Sequence, residues 1–274
     1  MSHEDDTIRE FWIRHVQRCR AVSDAMGGAQ ATPCLHNLWI PDGCKDVTFD
    51  RFERRERLKR SLDTIFSEEY PASHMRDALE SKLFGIGSEA FVAGSHEFYM
   101  GYVVSRGKML CLDTGHFHPT ESVADKVSAV LQFSDELLLH VSRGLRWDSD
   151  HVVVLDDDVK EIAAEVVRAG ALERVHIALD YFDGGMNRIG AWVIGARAVL
   201  KAVLRALLEP VGRLRGLERD GDHFRKLALF ESLKSLPFGA VWDFYCFSRQ
   251  TPEDGAWEAE VLRYEERVTS RRSG

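Results

Sequence analysis

The feature that most limits how this chain can fold is a succession of short apolar runs, several closed by a carboxylate or an imidazole, with helical stretches between. Strand candidates read at CLHNLWI, ALESKLFGIG, KMLCLD, ELLLHVS and VHIALDYF, with HVVVLDD a further extended run. Helical patterns fall at roughly 8–26, 50–69, 96–106, 119–132 and 157–170, and nearly all of the chain beyond 186 is helical. Strands alternating with helices predict an α/β fold around a parallel sheet. About five strands are counted, whereas a closed (β/α)8 barrel needs eight.

Seven potential metal ligands sit within or just after these runs. They are Glu80 in LESKLFG, Asp113 and His116 in LCLDTGHFHPTE, His140 in LLLHVSR, Asp148 and Asp150 in RWDSDH, and Asp180 in VHIALDYFD. The carboxyl ends of parallel strands form the mouth of a β/α barrel, where active sites are built. Carboxylates and imidazoles suit Mn2+, Co2+, Zn2+ or Mg2+, and the number of ligands points to two ions. Side chains on a strand alternate between faces, so Glu80 shares a face with Lys82, and Asp180 with His176 and Ala178. Asp148 and Asp150 lie on one side of an extended segment, and Asp113 and His116 straddle a glycine turn that lets them address different ions. Taken singly, each residue has a plainer role. A lone strand histidine is usually a satisfied core group, paired aspartates usually cap turns, and Glu80 with Lys82 is an ordinary ion pair. The recurrence of a ligand at the same end of successive elements is what favours a metal centre.

Composition excludes several classes. A net charge of −8 over 274 residues argues against a nucleic-acid binder. The longest apolar stretch, 189–208, is interrupted by Arg197, Lys201 and Arg205, so no membrane span is expected. The opening MSHEDDTIREFWIRH is acidic and helical, without a secretory core. The five cysteines form no CxxC pair, and a reducing cytoplasm is the expected compartment. GIGSEAFVAG lacks phosphate-loop spacing, and GxSxG is absent. Without a Pro-, Gly- or Ser-rich linker, one domain is expected, with residues 1–185 forming a partial barrel that carries the metal site and 186–274 an added helical part.

The motifs ESKLFGIG, LCLDTGHFHPTE, LLLHVSRGLRWDSDHVVVLDD and HIALDYFD, with NLWIPDG and SLPFGAVWDFYC, resemble the L-rhamnose isomerase family over essentially the whole chain. The resemblance implies a (β/α)8 barrel with added C-terminal helices, two divalent ions (commonly Mn2+), a homotetramer, and interconversion of L-rhamnose with L-rhamnulose by a metal-assisted hydride shift. It implies a structural ion held by Glu80, Asp113, His140 and Asp180, and a catalytic ion held by His116, Asp148 and Asp150. Lys82 would contact the reacting sugar oxygen, Asp180 would orient the catalytic water, and Trp39 and Phe182 would wall the pocket. It also implies that about the N-terminal third of the family's length precedes this sequence, matching the shortfall from eight strands. Two rival readings remain: another two-metal barrel enzyme of the epimerase or endonuclease type, and a non-catalytic fragment of an isomerase.

Overall fold

A computed structural model describes residues 1–82, 89–145, 150–253 and 255–272. Five parallel strands, β1 (Cys34–Trp39), β3 (Met75–Glu80), β5 (Met109–Asp113), β6 (Leu137–Val141) and β7 (Val175–Leu179), form one sheet in that order. It is an open, curled half-barrel. Spatial order follows chain order, as in successive β/α units. A second, two-stranded sheet pairs β2 (Gly43–Cys44) antiparallel with β4 (Phe91–Val92). Both strands fall in segments whose sequence reads as turn or polar loop.

The described residues group into two compact units. The first comprises 1–151 and 171–182 and holds both sheets. Its helices are α1 (Asp6–Gln30), α2 (Arg51–Ile65), α3 (His96–Arg106) and α4 (Val123–Val130). Asp50 caps α2, accepting a hydrogen bond from the Glu53 amide. Helix α1 does not stop at Gly27-Gly28, as the sequence suggests, but runs through them to Gln30. A Cβ on Gly27 would lie 1.7 Å from the His74 carbonyl oxygen, so this glycine permits close approach and does not end the helix. Strand β3 also begins earlier than its apolar pattern indicates, at Met75, and ends at Glu80. Lys82 follows the strand, and the remainder of the expected run, 83–88, lies outside the described residues.

The second unit comprises 152–170 and 183–274 and contains only helices among its described residues. These are α5 (Asp157–Arg168), α6 (Arg188–Leu207), α7 (Val211–Arg219), α8 (His223–Lys234), α9 (Phe238–Ser248) and α10 (Ala256–Tyr264), followed by a π-helical turn, Glu265–Thr269. Helices α7 and α8 break at Gly221, whose φ of 70° suits glycine, and Asp222 caps α8. HVVVLDD forms no strand; only His151 pairs with Arg143 in an isolated bridge. No described helix is long and apolar enough to cross a membrane.

Alternation along the strands sorts the interior. Leu79, Leu110, Leu112, Leu137 and Leu139 are fully buried on one face. The other face carries a thin apolar layer of Ala78, Met109, Cys111 and Leu138, with Leu35 and Ala178 packed against it. On this inward face the strands end in charge at both levels. At the amino end, Arg76 and His176 both pair with Glu136. At the carboxyl end stand Glu80, Asp113 and His140, followed by Asp180.

Candidate metal centre

The parallel register brings the carboxyl-end residues together. Glu80 is paired in register with Cys111, and Asp113 with His140. Asp180 follows β7 directly, its amide bonded to the Val141 carbonyl. Donor atoms of Glu80, Asp113, His140 and Asp180 all lie within 4.8 Å of one another, as do those of Asp113, His116 and Asp150. Six of the seven sequence-derived ligands therefore converge. The seventh, Asp148, lies outside the described residues.

Glu80 stands at the centre. Its Oε1 is 2.8 Å from His116 Nδ1, and its Oε2 is 3.1 Å from His140 Nδ1 and accepts a hydrogen bond from Asn37 Nδ2 at 2.5 Å. His140 Nδ1 also lies 3.0 Å from Asp180 Oδ2 and 3.8 Å from Asp113 Oδ2. His116 Nε2 lies 3.9 Å from Asp150 Oδ1 and 4.0 Å from Asp113 Oδ1. Asp113 Oδ1 accepts from the Gly115 amide at 2.7 Å and from Ser142 Oγ at 3.1 Å. The opposite oxygen, Oδ2, is buried without a hydrogen-bond partner, as are His116 Nδ1 and His140 Nδ1 despite their short ion-pair distances.

Buried polar atoms ordinarily find partners. Orphaned donor atoms of the oxygen-and-imidazole type, facing one another from β5, β6 and the segments that follow them, fit divalent cations. Asp113 belongs to both groups, so it is placed between two positions where the sequence pattern assigned it to one. Asn37 and Ser142 escaped the sequence reading. Asn37 was legible in principle, since it lies two residues before Trp39 on the same strand face; Ser142 follows β6 and carries no such signal.

The electrostatics match a site awaiting positive charge. Burial acts to raise the Glu80 carboxyl, but the adjacent His116 and His140 rings overcome it and hold the group at about 2. Burial pushes Asp113 up to about 7; His116 opposes this, while the charges of Glu80 and Asp150 add to it. Burial disfavours charge on both histidines, yet the surrounding carboxylates raise His116 and His140 above the ordinary imidazole value. Protons thus occupy the positions from which metal binding would displace them.

Lys82, 8% exposed, sits with its ammonium 4.7 Å from the Trp39 ring centroid, and Trp39 lies 6.4 Å from the His116 ring. Both therefore border the cluster. Phe182, two residues beyond Asp180, is 72% exposed.

Fold and site together define a parallel β/α half-barrel with a carboxylate–imidazole centre for divalent ions at the carboxyl ends of its strands. Residues 1–272 match the family described as RhaA, L-rhamnose isomerase, and the chain belongs to that family. It is 58% identical over 273 residues to the L-rhamnose isomerase of Rhodopirellula baltica, covering 100% of this chain and 64% of the relative. Identity to the Bacteroides thetaiotaomicron enzyme is 56% over 272 residues, and to that of Escherichia coli K12 54% over 272 residues; each covers 99% of this chain and 65% of the relative. The chain thus spans just under two thirds of the length of these relatives.

Proposed function

We propose that this chain supplies the metal centre of an aldose–ketose isomerase that interconverts L-rhamnose and L-rhamnulose by a metal-assisted hydride shift. The observation that carries this reading is the convergence of Glu80, Asp113, His140 and Asp180, and of Asp113, His116 and Asp150, at one end of a parallel sheet. Family membership names the sugar.

Glu80, Asp113, His140 and Asp180 would hold one ion; His116, Asp150 and Asp148, with Asp113 shared, would hold the other. Mn2+ is the ion the family resemblance implies, and Co2+, Zn2+ or Mg2+ also suit carboxylate-and-imidazole donors. When bound, such ions polarise carbonyl and hydroxyl oxygens as Lewis acids. The aldose-to-ketose direction moves hydride from C2 to C1 and a proton from the C2 oxygen to the C1 oxygen. Lys82 would steady negative charge as it develops on oxygen, as a preorganised cation does in oxyanion stabilisation. Asp180, half exposed and therefore reachable from solvent, would orient the water that carries the proton. Trp39 and Phe182 would offer apolar surface to the sugar.

A cytoplasmic, homotetrameric enzyme acting on a small sugar, with no nucleic-acid or membrane partner, completes the proposal. The five unpaired cysteines support the compartment, and the net charge of −8 supports the absence of a nucleic-acid partner. Residues 1–185 and 186–274 would act as one domain.

A second reading, metal binding without turnover, is favoured by the sheet itself. Among the described residues β1 and β7 each pair on one side only, and a closed barrel has eight strands. Ketose formation from L-rhamnose by the purified chain, with Mn2+ and with a chelator, separates the two. We expect Mn2+-dependent turnover that chelation abolishes and that Asp150→Asn reduces to background with the far-UV spectrum unchanged. A folded, metal-loaded sample without turnover would establish the second reading; near-full activity of Asp150→Asn would overturn the ligand assignment.

A further inference from the structure

Cys111 is a buried side chain of the centre to which the ligand pattern gives no role. It occupies the inward face of β5 two residues before Asp113, in register with Glu80 and one layer below Asp113 and His140, and is fully buried. Its Sγ lies 3.8 Å from Glu80 Oε2, and donor atoms of Glu80, Cys111 and His140 all lie within 4.8 Å of one another. A tetrahedral zinc ion with one sulfur and two lighter ligands sets its donors about 3.5 Å apart. The 3.8 Å from sulfur to carboxylate and the 3.1 Å from Glu80 to His140 are already close to such a set. A second observation points the same way: Asp113 Oδ2, entirely buried and without a hydrogen-bond partner, lies 3.8 Å from the same His140 Nδ1.

We propose that Glu80, Cys111 and His140 form a distinct, sulfur-bearing cation position that selects thiophilic divalent ions such as Zn2+ and Cd2+. The inference rests on the reading of this cluster as a metal centre. Thiolate is the ligand that separates soft ions from hard ones, whereas Mn2+ and Mg2+ prefer the carboxylate set one layer above. Binding forms a metal–sulfur bond at Cys111 and releases the thiol proton to solvent. The two positions share Glu80 and His140, so they cannot be filled together. A thiophilic ion would therefore displace the hard ion, and Cys111 is the residue that makes the centre vulnerable to such exchange.

The test is the absorption spectrum of the chelator-stripped chain titrated with Co2+, paired with Mn2+ binding followed by paramagnetic resonance. We expect a sulfur-to-cobalt charge-transfer band in the near ultraviolet. It should persist when Cys19, Cys34, Cys44 and Cys246 are all replaced by serine, and vanish in Cys111→Ser and Cys111→Ala. Cd2+ should release bound Mn2+. Cys111→Ser should weaken Cd2+ binding about tenfold or more, the scale on which even outer partners of a metal site act, while changing Mn2+ affinity far less. Mn2+ binding without a cobalt–sulfur band in the unsubstituted chain, or a band that survives both Cys111 variants, would overturn the proposal. Failure of the chain to bind either ion would instead overturn the metal-centre reading, and this inference with it.

Discussion

Glu80 is the carboxylate on which both halves of the centre lean, touching His116 through one oxygen and His140 and Asn37 through the other. Replacing it with glutamine keeps the shape and removes the charge. Glu80→Gln should lower Mn2+ affinity by more than about a hundredfold, beyond the usual loss from an outer partner, with the far-UV spectrum retained; titration calorimetry reads this directly. Asp113 sets the pH dependence. Its carboxyl is held at about 7, above its ordinary 3.8, so the folded chain carries a proton there that the unfolded chain has lost. That contribution to stability is complete below 3.8 and disappears as pH rises through about 7. Glu80 has the opposite sign: held at about 2, it adds stability above its ordinary 4.5 that is lost as pH falls through about 2. Because an ion must displace the Asp113 proton, Mn2+ affinity should climb as pH rises to about 7, with proton release visible when calorimetry is repeated in buffers of different ionisation heat. Affinity that stays constant across that interval would contradict the burial of Asp113 as an acid.

At the scale of elements, the two adjacent glycines of α1 show how one sequence signal carries two meanings. Gly-Gly near the end of an amphipathic run reads as a helix stop, yet the helix continues because Gly27 lies against the His74 carbonyl and Gly28 against the His74 ring. The two should respond differently to alanine. Gly27→Ala forces a methyl to 1.7 Å from a backbone oxygen and should destabilise the fold by about 1–3 kcal/mol or more, outweighing the gain in helix propensity. Gly28→Ala meets only the imidazole edge at 3.4 Å and should be neutral or stabilising by up to about 1 kcal/mol. Denaturant titration of both variants checks the pair, and equal effects would refute the contact. The same cause explains which elements were legible. β5 and β6 announce themselves because both faces are apolar below the ligand layer. β3 was misplaced because Arg76 and Asp77 interrupt its apolar run; tertiary pairing neutralises both, Arg76 with Glu136 and Asp77 with Arg20 and Lys108. β2 and β4, two residues each, have no periodicity to read.

For the molecule as a whole, the centre is a cross-link as well as a site. Its donors come from β3, β5 and β6 and from the segments after β5, β6 and β7, so an ion there ties together strands that otherwise touch only through neighbours. Most of the candidate donors were visible in the sequence because they sit within or just after apolar runs, with His116 and Asp150 in the segments that follow β5 and β6. The sharing of Asp113 between two groups and the place of Cys111 beside Glu80 were not visible, since both follow from parallel register, which no single strand encodes. A cross-link of this kind should appear as stability. An ion that binds only the folded chain adds about 2.7 kcal/mol at about a hundredfold excess over its dissociation constant. At about 2–4 °C per kcal/mol, which holds for domains of roughly 150–250 residues, saturating Mn2+ should raise the melting temperature by roughly 5–11 °C. A chelator should reverse the rise, and Glu80→Gln should show almost none of it. Melting curves that coincide with Mn2+ and with chelator, in a chain that binds Mn2+, would mean that the ion binds the unfolded chain as well as the folded one and does not hold the strand ends together.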